Sequence, residues 1–146
     1  MEHSLSVVWS SPGSPCPEGD SIRTHVFVDE QGYTPELEFD ESDQSCWHLV
    51  IYQNGAPMAT GRLIEGGNHS WHLGRIAVEK PLRGIGLGTF LVQCMIEKAA
   101  DLGAEQLLLG AQCRARGFYE KLGFRVCGGE YMDGHVPHVP MCRSLP

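Results

Sequence analysis

The feature that most constrains this chain is a glycine-rich loop directly before a helical pattern. Residues 82–90 read LRGIGLGTF, in which every second position from Gly84 to Gly88 is glycine. From about residue 87 to residue 102, apolar side chains recur at helical spacing, and a glycine follows as a stop signal. Residues 71–78 upstream have the composition of a strand. The sequence therefore predicts a strand, a glycine loop and an amphipathic helix in succession.

The glycine loop has the properties of a phosphate-binding site. Glycines let the main chain approach a ligand closely, and the first N–H groups of a helix have no partner within it. The partial positive charge there favours a phosphate, to which Arg83 adds a formal charge. The loop lacks the third glycine of G-x-G-x-x-G and the lysine of a P-loop. Two alternatives remain, namely a pyrophosphate site made mostly of backbone and a tight turn without a ligand.

The other periodicities predict one mixed α/β domain over residues 1–146. Three consecutive antiparallel strands precede the glycine loop, and Asn54-Gly55 is a strong hairpin signal between the first two. The predicted strands cover 5–9, 47–53, 56–64, 71–78, 106–109, 124–127 and 136–141, and the predicted helices cover 17–31, 87–102 and 114–122.

Charge and composition limit the partners of the chain. The 11 Lys and Arg residues against 18 Asp and Glu residues give a formal net charge of -7. This charge argues against nucleic-acid binding, which usually uses a basic face. No apolar run approaches the roughly 18 residues of a membrane span, and no signal-peptide pattern is present. We therefore expect a cytoplasmic protein without membrane contact. Its six cysteines are scattered without CxxC spacing and lie mostly in apolar runs, so we expect reduced thiols in a reducing compartment.

Several segments carry a resemblance to the GNAT superfamily of N-acetyltransferases. The pattern R-x-x-G-x-G at 83–88, directly after the strand residues IAV at 76–78, resembles the acetyl-CoA motif of that family. Residues 117–124, GFYEKLGF, are similar to a second family segment. Residues 23–31 and 133–141 resemble the small ElaA/YjcF-like branch. The matches cover most of the chain in the order that the family has them.

The resemblance implies a fold, a reaction and a donor. The fold is a splayed, mixed β-sheet of six to seven strands flanked by about four helices, with acetyl-CoA between strands 71–78 and 106–109. The reaction is direct transfer of an acetyl group from acetyl-CoA to a primary amine, either a small molecule or an exposed amino group. No metal is expected, the acceptor is not identified, and the oligomeric state stays open, a homodimer included. The residues implied in acetyl-CoA binding are Ile76, Ala77, Val78, Arg83, Gly84, Ile85, Gly86, Leu87, Gly88, Thr89 and Tyr119.

The resemblance also implies a general acid, whereas the general base stays open. Tyr119 falls on the family tyrosine that protonates the leaving thiolate, and a phenol with a pKa of about 10 stays protonated at neutral pH. The alternative role of Tyr119 is packing. Glu30 and His138 are candidate bases, and His72 is a third. Deprotonation through water without a dedicated base also fits the fold.

Two histidine pairs and an acidic run allow further interpretations. His69 and His72, like His135 and His138, are three residues apart, so on a strand they point to opposite faces and hold no common metal unless the chain is bent there. The acidic run at 36–43 is predicted to be a solvated loop or a funnel for a cationic amine.

Two rival functions remain beside the acetyltransferase. One is a catalytically silent module that binds acyl-CoA. The other is an acyltransferase like the acyl-homoserine-lactone synthases, to which Arg23, Phe27, Asp40, Asp43 and the GRLI segment at 61–64 bear a faint resemblance.

Overall fold

The computed structural model describes residues 5–146, which form an eight-stranded sheet with helices on both faces. The strands are β1 (Leu5–Ser10), β2 (Trp47–Gln53), β3 (Ala56–Gly67), β4 (Ser70–Val78), β5 (Gln106–Gln112), β6 (Arg125–Val126), β7 (Tyr131–Asp133) and β8 (Val136–Ser144). The α-helices are α1 (Pro17–Arg23), α2 (Pro35–Glu38), α3 (Leu87–Asp101) and α4 (Arg116–Lys121). A π-helix covers Thr24–Glu30, and 3₁₀ turns cover Glu41–Gln44, Lys80–Leu82 and Cys113–Ala115.

The sheet has one parallel pair of strands, at its centre. Its order is β1-β2-β3-β4-β5-β8-β6, and β7 pairs with β8. The pairs are antiparallel except for β4 with β5. The connection from β4 to β5 runs through the glycine loop and α3. A crossover helix of this kind is what a parallel pair requires.

The parallel strands β4 and β5 separate soon after they begin. They pair only from Ser70 with Gln106 to His72 with Leu108. Beyond that point β4 carries a bulge, because Thr60 of β3 pairs with Ala77 while Arg62 pairs with Gly74. The bulge turns β4 away from β5 and leaves one edge of its last residues unpaired. This split opens a cavity between the ends of the two strands.

The two faces of the sheet are covered by different helices. Alternate strand residues point to opposite faces. Leu49 of β2 accordingly packs in the larger core with Leu91 of α3, whereas Val50 packs with Ile22 of α1. Each face therefore carries its own core, and β4 lies between the two.

The fold differs from the sequence-based prediction at two places. The helix predicted over 17–31 is α1 followed by a π-helix. The sheet has eight strands, one more than the six to seven expected, and four α-helices, as expected. The additional strand is β7, which the sequence did not predict because its three exposed residues have no apolar alternation. Among residues 5–146, no helix combines the length and apolar character that crossing a membrane would need.

Candidate functional site

A cavity of about 950 Å³ occupies the split between β4 and β5. The end of β4 and the glycine loop form one wall, and the end of β5 with α4 forms another. The segment after the π-helix and the β7–β8 hairpin close the third side. The cavity therefore joins segments that are far apart in the sequence.

The glycine loop ends at the N-terminus of α3, as predicted. Gly84 and Gly86 have φ angles of +86° and +87°, which residues with side chains rarely adopt. The first backbone hydrogen bond of α3 runs from Phe90 N–H to the Gly86 carbonyl at 3.1 Å. The N–H groups of residues 87–89 thus have no partner within the helix. Gly88 also serves packing, since a Cβ atom there would lie 3.4 Å from the Phe118 ring.

The unpaired edge of β4 can bind an extended ligand as a strand would. Ala77 and Val78 pair with β3 on one edge, but residues 73–78 have no β5 partner on the other. Backbone groups at such an edge can form main-chain hydrogen bonds with a chain laid alongside them. A linear amide arm between β4 and β5 would complete both strands.

Arg83 and Glu30 form an ion pair beside the loop. The Arg83 guanidinium donates to both Glu30 carboxylate oxygens, with Nη2 to Oε1 at 2.8 Å, and its Nε donates to the Val78 carbonyl at 3.0 Å. The hydrogen bond from Arg83 lowers the pKa of Glu30. A carboxylate held in this way is a weaker proton acceptor, which disfavours Glu30 as a general base. Arg83 lines the cavity, but it is engaged by the protein itself.

Tyr119 lies in α4 with its ring packed and its hydroxyl unbonded. The side chain is 8% exposed, and its ring makes edge contacts with Phe118 and Phe124. Burial raises the pKa of Tyr119, so the phenol stays protonated. Among residues 5–146, no group forms a hydrogen bond with its hydroxyl, although the residue lines the cavity. Both a packing role and a proton-donor role are therefore available to Tyr119.

His138 lies in β8 beside the end of β5 and lines the cavity. It is 7% exposed, and its Nδ1 is 2.9 Å from the Val136 carbonyl. A carbonyl can only accept, so Nδ1 carries the proton and Nε2 of the neutral ring keeps its lone pair. Nε2 is 3.8 Å from an Asp133 carboxylate oxygen, too far for a hydrogen bond. His72, by contrast, is exposed on a separate depression of about 260 Å³.

The structure groups most of the residues implied in acetyl-CoA binding, but not all. The two exceptions are the side chains of Ile85, which is 68% exposed, and Leu87, which is buried in the core. These two can contribute only backbone groups. The members of the implied set that line the cavity are Ile76, Ala77, Val78, Arg83, Gly84, Gly86, Gly88, Thr89 and Tyr119.

The contacts between residues on the closed side of the cavity were not predicted from the sequence. Gln112 accepts from Arg114 Nε and donates to Gln31 Oε1, both at 2.8 Å. Tyr33 and Tyr131 contribute aromatic surface to the same side. Only contacts across the fold bring these residues together, so no local motif could have predicted their arrangement around the cavity.

The acidic run is neither a free funnel nor a simple solvated loop. Glu38, which is 4% exposed, accepts from Arg23 Nε at 2.8 Å and lies 3.1 Å from Arg75 Nε. Asp40 and Asp43 both accept from Arg62 Nη1, at 2.7 and 2.8 Å. Three arginines thus neutralise three of the carboxylates, which corrects both interpretations for these positions.

The pKa shifts in this ion network follow from burial and from the arginines. The hydrogen bond from Arg62 lowers the pKa of Asp40. Burial raises the pKa of Asp43, but the arginine contacts outweigh it and the net shift is downward. Burial raises the pKa of Glu38 despite its bond from Arg23. The faint resemblance to lactone synthases depended in part on Arg23, Asp40 and Asp43. Because the ion network already accounts for these three residues, their presence does not support a synthase function.

One group of potential metal ligands occurs among residues 5–146, and it does not involve the predicted histidine pairs. Asp43, Cys46 and His48 have ligand atoms within 4.8 Å of one another. Both carboxylate oxygens of Asp43, however, already accept hydrogen bonds from Arg23. A cation would have to displace a buried arginine, so these residues fit a metal poorly.

Comparison with known proteins agrees with this geometry. A family model described as an acetyltransferase (GNAT) domain matches residues 17–145. The uncharacterized N-acetyltransferase YjcF of Bacillus subtilis is 36% identical over 124 residues, which are 84% of this chain and 88% of YjcF. The structure of Escherichia coli ElaA has a TM-score of 0.86 at 23% identity, over 97% of this chain and 100% of ElaA. An Elizabethkingia anophelis GNAT-family acetyltransferase with acetyl-CoA bound has a TM-score of 0.75 at 16% identity, over 97% and 98% of the two chains. These matches confirm the family resemblance that the motifs indicated.

Proposed function

Because the chain belongs to the GNAT family and is an acyltransferase, we propose that it transfers an acetyl group from acetyl-CoA to a primary amine. The observation that carries the proposal is the split between β4 and β5, which opens beside a helix N-terminus and contains Tyr119. We take residues 1–146 as a single catalytic domain.

The donor would bind with its pyrophosphate on the glycine loop and its pantetheine arm along β4. The N–H groups of residues 87–89 would donate to the pyrophosphate, and Thr89 lines the cavity at the same point. The amides of the arm would pair with the free edge of β4 near Ile76 and Val78. The related structure with acetyl-CoA bound supports this choice of donor.

Tyr119 and His138 would handle the two protons of the reaction. The amine nitrogen attacks the thioester carbonyl carbon, and the C–S bond breaks as the tetrahedral intermediate collapses. His138 Nε2 would take the proton that the amine loses, and the Tyr119 hydroxyl would give a proton to the leaving thiolate. A backbone N–H near Val78 would stabilise the oxyanion. Glu30 stays a weaker candidate base because Arg83 holds its carboxylate.

The proposal is tested by free thiol released from acetyl-CoA over a panel of amines, with the acetylated product identified by mass. Release that requires an amine would support the acetyltransferase. Tight binding of acetyl-CoA without thiol release from any amine would instead support a silent binding module.

The donor site is tested separately by Thr89→Asp. A carboxylate in the first turn of α3 interacts favourably with the positive end of the helix dipole, so the variant should stay as stable as the wild type. The same charge would repel a pyrophosphate, so acetyl-CoA affinity should fall at least about tenfold by calorimetry. Gln93→Glu, on the exposed side of α3, is the matched control for the added charge and should bind normally. Normal binding by Thr89→Asp would refute the loop as the pyrophosphate site.

A further inference from the structure

Two segments meet across the cavity on the side away from the glycine loop. Tyr33 Oη donates to the Asp133 carbonyl at 2.9 Å, and His135 Nε2 donates to the Gln31 carbonyl at 2.7 Å. Gln112 Nε2 donates to Gln31 Oε1 at 2.8 Å. We call residues 31–33 together with Gln112 and residues 133–135 the bridge.

The bridge joins the two halves of the split sheet. Residues 31–33 follow the π-helix, whose Val26 packs against Ala77 of β4. Gln112 is the last residue of β5, and residues 133–135 turn from β7 into β8, which pairs with β5. Its contacts therefore span the gap that opens where β4 and β5 separate.

The bridge is closely packed as well as hydrogen-bonded. The rings of Tyr33 and His135 lie 5.0 Å apart. A Cβ atom at Gly134, whose φ is +62°, would be 2.9 Å from the Tyr33 ring, so the turn fits against that ring only as glycine. Burial raises the pKa of Tyr33, and its phenol therefore remains a donor at neutral pH.

The inner face of the bridge is part of the cavity wall. Gln31, Tyr33, Gln112 and Asp133 line the cavity, whereas His135 does not and is exposed. A lysine of a folded protein brings its own backbone and neighbouring surface only four methylenes behind the reacting nitrogen. Three hydrogen bonds hold the bridge closed, so that bulk would have to break them to enter from this side of the cavity.

The chemistry inside the bridge suits a small cation. The carboxylate of Asp133, which is about half exposed, and the rings of Tyr33 and Tyr131 line this part of the cavity. Carboxylates pair with an ammonium group, and aromatic faces attract it. We infer that the acceptor is a free, small primary amine enclosed behind the bridge, and not a lysine or N-terminus of a folded protein. The inference rests on the proposed acetyltransferase function and names its substrate class.

The experiment compares acceptors of graded size with acetyl-CoA as the donor and thiol release as the readout. The probes are short aliphatic and aromatic monoamines, diamines, a lysine-containing tetrapeptide and a folded protein rich in surface lysines. We expect kcat/KM for the best small amine to exceed that for the folded protein by at least about 100-fold, because poorly positioned reactants lose about that factor.

Opening the bridge should relax this size limit. His135→Ala removes one hydrogen bond and one ring contact outside the cavity lining. We expect it to raise kcat/KM for the tetrapeptide, relative to the best small amine, by about fivefold to tenfold. His25→Ala is the matched control, because His25 is exposed and bonds Glu79 away from the bridge; this variant should leave the ratio unchanged.

The outcomes separate the inference from the function on which it rests. Folded-protein lysines acetylated as fast as small amines would overturn the inference and leave the acetyltransferase intact. An unchanged size ratio in His135→Ala would overturn the role of the bridge. No thiol release with any amine would overturn the proposed function, and the inference with it.

Discussion

Asp43→Asn removes the carboxylate at the centre of the ion network. Asp43 Oδ1 accepts from Arg23 Nη1 and Arg62 Nη1, both at 2.8 Å, and its Oδ2 accepts from Arg23 Nη2 at 3.1 Å. The two arginines are 1% and 5% exposed. The substitution keeps the shape of the side chain but leaves these buried guanidinium groups one negative charge short.

The expected loss of stability follows from the burial of Arg23 and Arg62. Removing one partner of a buried ion pair costs about 3–5 kcal/mol, because the remaining charge is left uncompensated. The Asp43 side chain is itself 21% exposed, and asparagine still offers one acceptor oxygen. We therefore expect the lower end, about 3 kcal/mol of unfolding free energy. For a chain of this size, that loss corresponds to a Tm lower by about 6–12 °C.

Urea unfolding followed by circular dichroism measures this loss, with thermal unfolding as a second readout. Glu41→Gln is the matched control, since Glu41 is exposed in the same 3₁₀ turn and makes no ion pair among residues 5–146. The control should change stability by less than about 0.5 kcal/mol. A loss below about 1 kcal/mol for Asp43→Asn would refute the reasoning, because it would mean that water compensates both arginines.

Three further predictions concern catalysis, acid stability and the thiols. Tyr119→Phe should lower kcat by about 10²- to 10⁴-fold with little change in acetyl-CoA affinity, and a normal kcat would assign Tyr119 to packing. The pKa values of Asp40 and Asp43 are lowered from 3.8 in the fold, so their stabilisation is full above pH 3.8 and is lost as pH falls below it. The free energy of unfolding should therefore fall steeply as the pH drops below 3.8, and this fall should be smaller in Asp43→Asn. Thiol labelling of denatured, unreduced protein should detect six free cysteines. Reproducible detection of only four, as a disulfide would give, would contradict the structure.

The sequence predicted the elements around the glycine loop, which form the proposed donor half of the site, because these elements are local in the sequence. Alternating strand residues, glycines at fixed positions and helical spacing follow one another within residues 71–102. Each signal depends on the backbone preferences of neighbouring residues, which act in the unfolded chain as well. The observed β4, loop and α3 match those expectations closely.

The contacts within the proposed acceptor half could not be predicted, because they join distant segments. Tyr33 meets Asp133 across 100 positions, and His135 meets Gln31 across 104. Strand β7 pairs with β8 through three exposed residues, which have no apolar pattern to reveal them. The acidic run gave the wrong expectation for a related reason, since nothing local shows that distant arginines will neutralise it.

The sequence by itself determined that a strand, a glycine turn and an amphipathic helix would follow one another. It also identified Tyr119 by its position in the family-like segment 117–124. Only the tertiary structure decided which charges are buried together and how the cavity is closed. Burial of Arg23 and Arg62 makes their carboxylate partners obligatory. The split between β4 and β5 gives the bridge a gap to span. Both arise from packing of the whole chain, because local backbone preferences carry no information about what lies across a sheet.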